Sequence, residues 1–390
     1  MATGGNSGWQ IVASPNAVFT ANGLVSVLAL TATDAWAVGN AGSMTRTFTD
    51  DAIDQQTVWE PLIEHWDGTQ WSIVPGPQLT GQAMLRGIAA SSPDDVWAVG
   101  SLGNAATVEQ TTAEEALIEH WDGARWQVVP CPQTGARASR LADVIAFAAT
   151  DVWAVGATTN HPTRDTSHTF VVHWNGKLWS VMPSPSPGML QSLEGIAAVT
   201  PDDIWAVGWV KMTSQSPEQT LIEHWDGKLW QVIQSPSPGL RENYLSKLAV
   251  TSTNDIWAVG RCGDGHFSAR PSGGRIIRTV LIEHWDGKLW SVITSPGLAS
   301  EDSCLLGVAG VSPSDVWAVG VSSTGDTFGA LIEHWNGRQW SVIPGAHPGA
   351  VHHLSRVVRV PGEADLWAVG AYQQRVNPFE GRTLIEKFSR

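Results

Sequence analysis

Hydrophobic residues along the chain fall in short runs bounded by Gly, Pro, Asp and Ser, the pattern of strands separated by tight turns. Four runs follow one another, and the set then recurs. The first reads Leu193-Glu194-Gly195-Ile196-Ala197-Ala198. A turn over Thr200 to Asp203 leads into the second, Asp203-Ile204-Trp205-Ala206-Val207-Gly208. A long variable segment precedes the third, Thr220 to Trp225. The fourth, Leu229 to Ile233, follows an Asp-Gly pair, the strongest short-range hairpin signal. A Ser/Pro/Gly stretch then ends the set. Along the third run Leu221, Glu223 and Trp225 fall on one face of the sheet, and Ile222, His224 and Asp226 on the other.

The second run recurs as D-x-W-A-V-G seven times, with its Trp at 36, 97, 153, 205, 257, 317 and 367. The third and fourth runs bring paired Trp at 66/71, 121/126, 174/179, 225/230, 285/290 and 335/340, six pairs for seven strings. The seventh pair is divided between the chain's ends. Leu384-Ile385-Glu386-Lys387-Phe388 stops where the hairpin would continue, and Gly8-Trp9-Gln10-Ile11-Val12 supplies the missing half. A solenoid has no use for that division, whereas a ring closes by pairing its ends. Four strands per unit, seven units and a split closing unit predict an all-β fold, a seven-bladed β-propeller of four-stranded antiparallel blades. The expected blades span 22–75, 83–130, 139–183, 191–234, 243–294, 303–344 and 352–390 with 8–13, all in one domain.

These units resemble those of highly repetitive bacterial β-propellers, in the broad group that includes WD40 and kelch repeats. The resemblance covers essentially the whole chain. Trp225-Asp226 sits where WD40 repeats carry their Trp-Asp, and closure by an N-terminal fourth strand is similar. The Gly-His of WD40 repeats and the Gly-Gly of kelch repeats are missing. The resemblance implies the fold and no particular activity.

Composition narrows the partners. A net charge of −14 and a pI near 5.2 oppose binding to a phosphate backbone, so nucleic acid is not expected. No run of apolar residues is long enough to span a membrane, and a monomer is expected. The first residues show no signal peptide, so a cytoplasmic protein is expected if the chain is complete, and a secreted or surface protein if a leader was removed. Cys131, Cys262 and Cys304 form neither a zinc pattern nor a disulfide framework; Cys262 and Cys304 are placed to pair in an exported protein, leaving Cys131 free.

The recurring Glu, His and Asp of Glu223-His224-Trp225-Asp226 are residues of acid–base chemistry, yet function seldom needs six equivalent copies of a catalytic group. Blade three replaces the Glu by Val172. The repeated groups are therefore read as scaffold: Glu and His hydrogen-bonded between blades, Asp226 starting the hairpin turn, and Asp203 anchoring the first turn.

Function then belongs to what does not repeat. The second-to-third connections (40–61, 101–116, 157–169, 209–220, 261–280, 321–330 and 371–383) and the fourth-to-first connections are long, differ in every unit, and emerge on one face around the channel mouth. Trp59 and Trp209 lie in two of these connections and have no blade-packing role. At the position of Gly195 the units carry Ser26, Gly87, Asp143, Gly195, Lys247, Gly307 and Arg356. Asp143, Lys247 and Arg356 would line the channel entrance with Arg86 and Glu194 close by, and Arg140, Glu242, Asn243, Tyr244, Glu301, Asp302, His352 and His353 precede them. Such a ring suits a small polar ligand or sugar; a water-filled channel of self-satisfied ion pairs is the alternative. His347, His352 and His353 match no metal-ligand spacing of fixed geometry, so neither metal nor cofactor is expected. The motifs of lipase-type hydrolases, zinc proteases and nucleotide binders are missing. The favoured function is binding without catalysis, through the variable face, of a glycan, another polar ligand or a protein. The alternatives are a lyase or hydrolase at the channel mouth, with Asp143, Lys247, Arg356, Tyr244, His352 and His353 as the residues to mutate first, or a passive surface scaffold.

Overall fold

A computed structural model of the chain describes residues 8–48, 53–103, 114–160, 166–264, 267–268, 275–296, 302–324, 327–375 and 380–389. Glu301 lies outside them. The described chain is all strand and turn. Its strands form seven four-stranded antiparallel units in chain order, two of which are joined into one sheet by a single parallel pair, Phe328 with Val351. A further two-residue pair, 267–268 with 275–276, lies in the connection of the fifth unit.

The fourth unit shows the plan: strands Leu190–Thr200, Asp203–Lys211, Glu218–Trp225 and Trp230–Val232, each paired with the next. The first strand of every unit packs on the first strands of its two neighbours, and the last unit packs on the first. The ring is closed, a β-propeller with the first strands innermost. The closing unit takes its outermost strand from Gly8–Ile11, antiparallel to Arg382–Ser389, with Trp9 opposite Phe388.

Tryptophan fills the wedges between blades. The Trp of each D-x-W-A-V-G string meets both hairpin Trp of the next blade: Trp205 lies 5.1 Å from Trp285 and 5.8 Å from Trp290, and Trp36, Trp97, Trp153 and Trp257 repeat the arrangement. Ring closure uses the same device. Trp317 packs on Trp9 and Phe388, and Trp367 on Trp66 and Trp71. Edge and tilted contacts at these distances each add about 1 kcal/mol beyond area burial.

The repeated polar residues are scaffold in every blade. Asp203 accepts bonds from Trp205 Nε1 (2.8 Å) and His224 Nε2 (2.7 Å), tying the second strand to the third. The His ring also stacks on that Trp at 4.2 Å. In the closing blade Lys387 stands where the others carry His and reaches Asp365 at 3.0 Å. Asp226 accepts the amides of Lys228 and Leu229 at the head of a four-residue loop, longer than the tight Asp-Gly turn expected, with Gly227 at φ 86° supplying the left-handed step. The repeated Glu lies in the wedge, where Glu333 accepts from Ser295 of the preceding blade at 2.7 Å; the expected bond is not made in every copy, since Glu119 and Glu223 have no hydrogen-bond partner among the described residues. All six copies are fully buried. Where the Glu is Val172, the group packed beside it is Cys131, so both sides of that wedge turn apolar together. Burial pushes Glu64, Glu119, Glu223 and Glu283 up to about 8 and Glu386 to about 7.

One variable connection is more regular than its composition suggests. The first, 40–61, is a long two-stranded ribbon, with pairing continuing from Asn40–Pro61 out to Phe48–Ile53. Thr45, Thr47, Thr57 and Val58 in its flanks are residue types that favour extended backbone.

Candidate functional site

Each innermost strand carries a β-bulge at the same place, near the variable face. In blade three the register jumps from Leu141 to Asp143, and in the others it jumps at Leu24/Ser26, Leu85/Gly87, Leu193/Gly195, Leu245/Lys247, Leu305/Gly307 and Leu354/Arg356. A bulge bends the strand and re-aims its side chains. The seven residues after the jump are those expected from the sequence to encircle the channel. Three of the ring's glycines make room for the charged ones: a Cβ on Gly87, Gly195 or Gly307 would lie within 2.9 Å of the Cα of Asp143, Lys247 or Arg356 respectively.

The three charged residues meet one another across the channel. Asp143 is 1% exposed and accepts from Lys247 Nζ at 2.9 Å and Arg356 Nη1 at 3.3 Å. Its carboxylate also takes the Ile196 amide at 3.3 Å, while Lys247 Nζ donates to the carbonyls of Glu194 (2.6 Å) and Ala142 (3.3 Å). Burial raises the Asp143 pKa, but the charges of Arg356 and Lys247 outweigh it and hold the carboxyl below its usual range. Lys247 is pushed down to about 8, because burial and the Arg356 charge exceed what one shared carboxylate returns. The triad ties blades three, five and seven together across the ring.

Beside the triad lies a second set of ion pairs. Arg140 donates to Glu194 at 2.6 Å and to Ser192 Oγ at 3.0 Å. Burial pushes the Glu194 pKa up, but the charge and hydrogen bond of Arg140 outweigh it and hold the carboxyl below its usual range. Tyr244 lies within reach of Glu194, and burial together with that carboxylate raises its phenol pKa. The Arg261 guanidinium covers the Tyr244 ring at 4.1 Å while pairing with Glu242 at 2.6 Å, and Arg278 shares Glu242 at 2.9 Å. Trp209 stacks on the far edge of Tyr244, 6.5 Å between centroids at 20°.

A cavity of about 220 Å³ opens on this face, between blades three and four. Trp209, Leu190 and Ala157 form its apolar wall; Arg140, Glu114, Gln191, Ser139, Ser192 and Thr158 supply its polar groups. Glu114 and Gln191 escaped the sequence analysis because each begins a strand beside a variable connection, with nothing local to mark it. Gln191 is fixed by its bonds to Ser167 O (2.8 Å) and Gly188 O (3.1 Å).

The remaining candidates are placed as follows. Trp59 pairs with Gly42 across the long ribbon and lies over that glycine, so its ring packs on its own connection. His352 is buried, with Nε2 3.3 Å from His347 Nδ1, and burial lowers its pKa. His353 occupies the same register position as Arg140 and Tyr244. Among the described residues no group of three or more His, Cys, Asp or Glu could hold a metal. The three cysteines are free thiols: Cys262 contacts Thr279 Oγ1 at 3.4 Å, and burial pushes Cys131 up to about 12. No described helix is long and apolar enough to cross a membrane.

No protein-family model and no curated protein sequence matches the chain. Its shape does match solved structures. The structure of YCF48 bound to D1 peptide is 12% identical with a TM-score of 0.56, covering 99% of this chain and 96% of its own. An ulvan lyase of polysaccharide lyase family PL25 is 8% identical with a TM-score of 0.58, over 97% and 94%. The GH74 xyloglucanase from Xanthomonas campestris is 14% identical with a TM-score of 0.54, over 97% of this chain and 55% of the enzyme. All three are β-propellers, and at such identities the likeness concerns the fold alone. One binds a peptide and two act on glycans, so the fold accommodates either use.

Proposed function

We propose that the chain is a binding protein that takes a saccharide at the channel mouth, without catalysis. The observation that supports this best is the cavity between blades three and four. There an indole ring, Trp209, stands beside hydroxyl, amide and guanidinium groups on a rigid scaffold. Sugars present apolar C–H faces and polar edges, so an aromatic wall flanked by fixed hydrogen-bonding groups suits them. Binding is favoured over acid–base work because the mouth's carboxylates are engaged: Asp143 holds two cations, Glu194 holds Arg140, and Glu242 holds two arginines. A general base needs a pKa near the working pH. Asp143 and Glu194 are held low and Tyr244 is raised, which moves these three away from it; Lys247, at about 8, is occupied by Asp143 and by the carbonyls of Glu194 and Ala142.

The experiment is a calorimetric and thermal-shift screen of neutral and acidic oligosaccharides, with short peptides as the second arm. Trp209→Ala is expected to weaken saccharide binding by about tenfold, roughly 1.4 kcal/mol, with the melting temperature unchanged. Product formation from a bound oligosaccharide would overturn the non-catalytic part of the reading. Binding of peptides alone would overturn the choice of ligand.

A further inference from the structure

Around the channel Arg140 pairs with Glu194, Lys247 and Arg356 with Asp143, and Arg261 and Arg278 with Glu242. Arg86 stands apart from these. Among the described residues it meets no carboxylate at ion-pair distance. Its Nη2 reaches the Met84 sulfur at 3.9 Å, and its Nε is buried without a partner. A thioether is a weak acceptor, and a half-buried guanidinium left so is costly. Its surroundings add to the cost: burial and the neighbouring Arg140 charge both pull its pKa down, and Glu114 and Glu194 offset them only from a distance.

Its position is built into the fold. Arg86 is the residue skipped by the bulge between Leu85 and Gly87, the place Glu194 takes in blade four. Both are close to Arg140, which lines the Trp209 cavity: Glu194 pairs with it and Arg86 feels its charge. In a chain of net charge −14, a guanidinium at the mouth without a carboxylate at ion-pair distance calls for an anion supplied from outside.

We propose that Arg86 is the anion-recognising residue of the mouth, receiving a carboxylate of the ligand, so that the saccharide held beside Trp209 is an acidic one of the uronic-acid class. This rests on the reading of the mouth as a saccharide site. A guanidinium matches a carboxylate with two parallel N–H···O bonds, which supplies the partner that Arg86 lacks. The Arg140 charge alongside strengthens the attraction while remaining committed to Glu194.

The test is isothermal titration of the full chain with sodium glucuronate, glucose and sodium acetate at constant ionic strength, together with the oligomers of the two sugars. The wild type is expected to bind glucuronate at least tenfold more tightly than glucose. Arg86→Gln abolishes that preference and leaves glucose binding as it was. Arg86→Lys, which keeps the charge and loses the fork, retains part of it, and Trp209→Ala weakens both sugars alike while the preference persists. Because Arg86 has no carboxylate partner, Arg86→Gln should melt within about 2 °C of the wild type; should it fail to fold, Arg86→Lys carries the test. Equal binding of the two sugars, or a preference that survives Arg86→Gln, overturns the proposal and leaves the saccharide site standing. Acetate bound through Arg86, with no sugar bound, upholds the anion site and removes the saccharide reading. No heat from any of the three compounds or the oligomers removes both.

Discussion

The wedges between blades and the channel mouth both bury charged side chains, and they do so in opposite ways. In a wedge the same few residues recur: an Asp bonded to His and, at Trp97, Trp153, Trp205 and Trp317, to the indole as well, a buried Glu, and three aromatic rings in contact. At the mouth the blades differ: three contribute glycine to the ring, one serine, and three unlike charged groups. Asp143, Lys247 and Arg356 come from blades three, five and seven, and each finds its partner across the channel. Repetition solves burial locally, since each blade meets the same neighbour. A ring position facing an axis meets every other blade, so its partners can be unlike and the site can acquire a shape and charge of its own.

The comparison can be broken at several points. The largest effect belongs to ring closure. Deleting residues 1–13 removes the strand that pairs with Arg382–Ser389 and the Trp9 that packs on Trp317. It should cost more than the ~3–5 kcal/mol of a single buried Trp→Ala change; an unchanged melting temperature would show that the ring does not depend on its N-terminal strand. Next comes a wedge: Trp205→Ala empties one aromatic cluster and should cost ~3–5 kcal/mol in denaturant unfolding, without altering ligand affinity. Asp143→Asn follows, at about 3 kcal/mol, because two buried cations lose their shared counter-charge. Retained stability in that variant would argue that the triad is solvated and the channel open.

A smaller effect sharpens the contrast through pH. The buried wedge carboxyls have folded pKa values raised above their ordinary range, so the folded state keeps protons that the unfolded state releases. Their contribution is complete below about pH 4.5 and is lost as pH rises toward about 8. Glu119→Gln, a neutral isostere, should therefore stabilise the protein more at pH 8 than near pH 4.5, as thermal melts across pH would show. Asp143 and Glu194, held low by their cations, run the other way: their contribution is present above the ordinary carboxylate range and is lost as pH falls through their lowered values. The smallest effect is Trp59→Ala. The ring lies on its own ribbon, so the cost should stay within about 1 kcal/mol, with ligand binding intact.

Most of the scaffold was legible in the sequence because it is written repeatedly. The D-x-W-A-V-G string, the paired Trp and the divided seventh hairpin identify four strands, seven units and their closure before any coordinate is seen. The ring position of Asp143, Lys247 and Arg356 was also legible, since each aligns with Gly195 in its unit. Their mutual pairing was not, because residues 104 and 213 positions apart in Lys247–Asp143 and Arg356–Asp143 become neighbours only when the ring closes. Trp59 and Trp209 looked equivalent, as non-repeat Trp in variable connections; one packs on its own glycine and the other walls a cavity. Nothing local separates them. The sequence alone therefore determined the unit, the count of units and the closure of the ring, because periodic burial leaves a periodic record. Tertiary structure alone decided which charges cancel, which Trp is open and that Arg86 is left over, because those depend on distances across a channel that no stretch of chain contains.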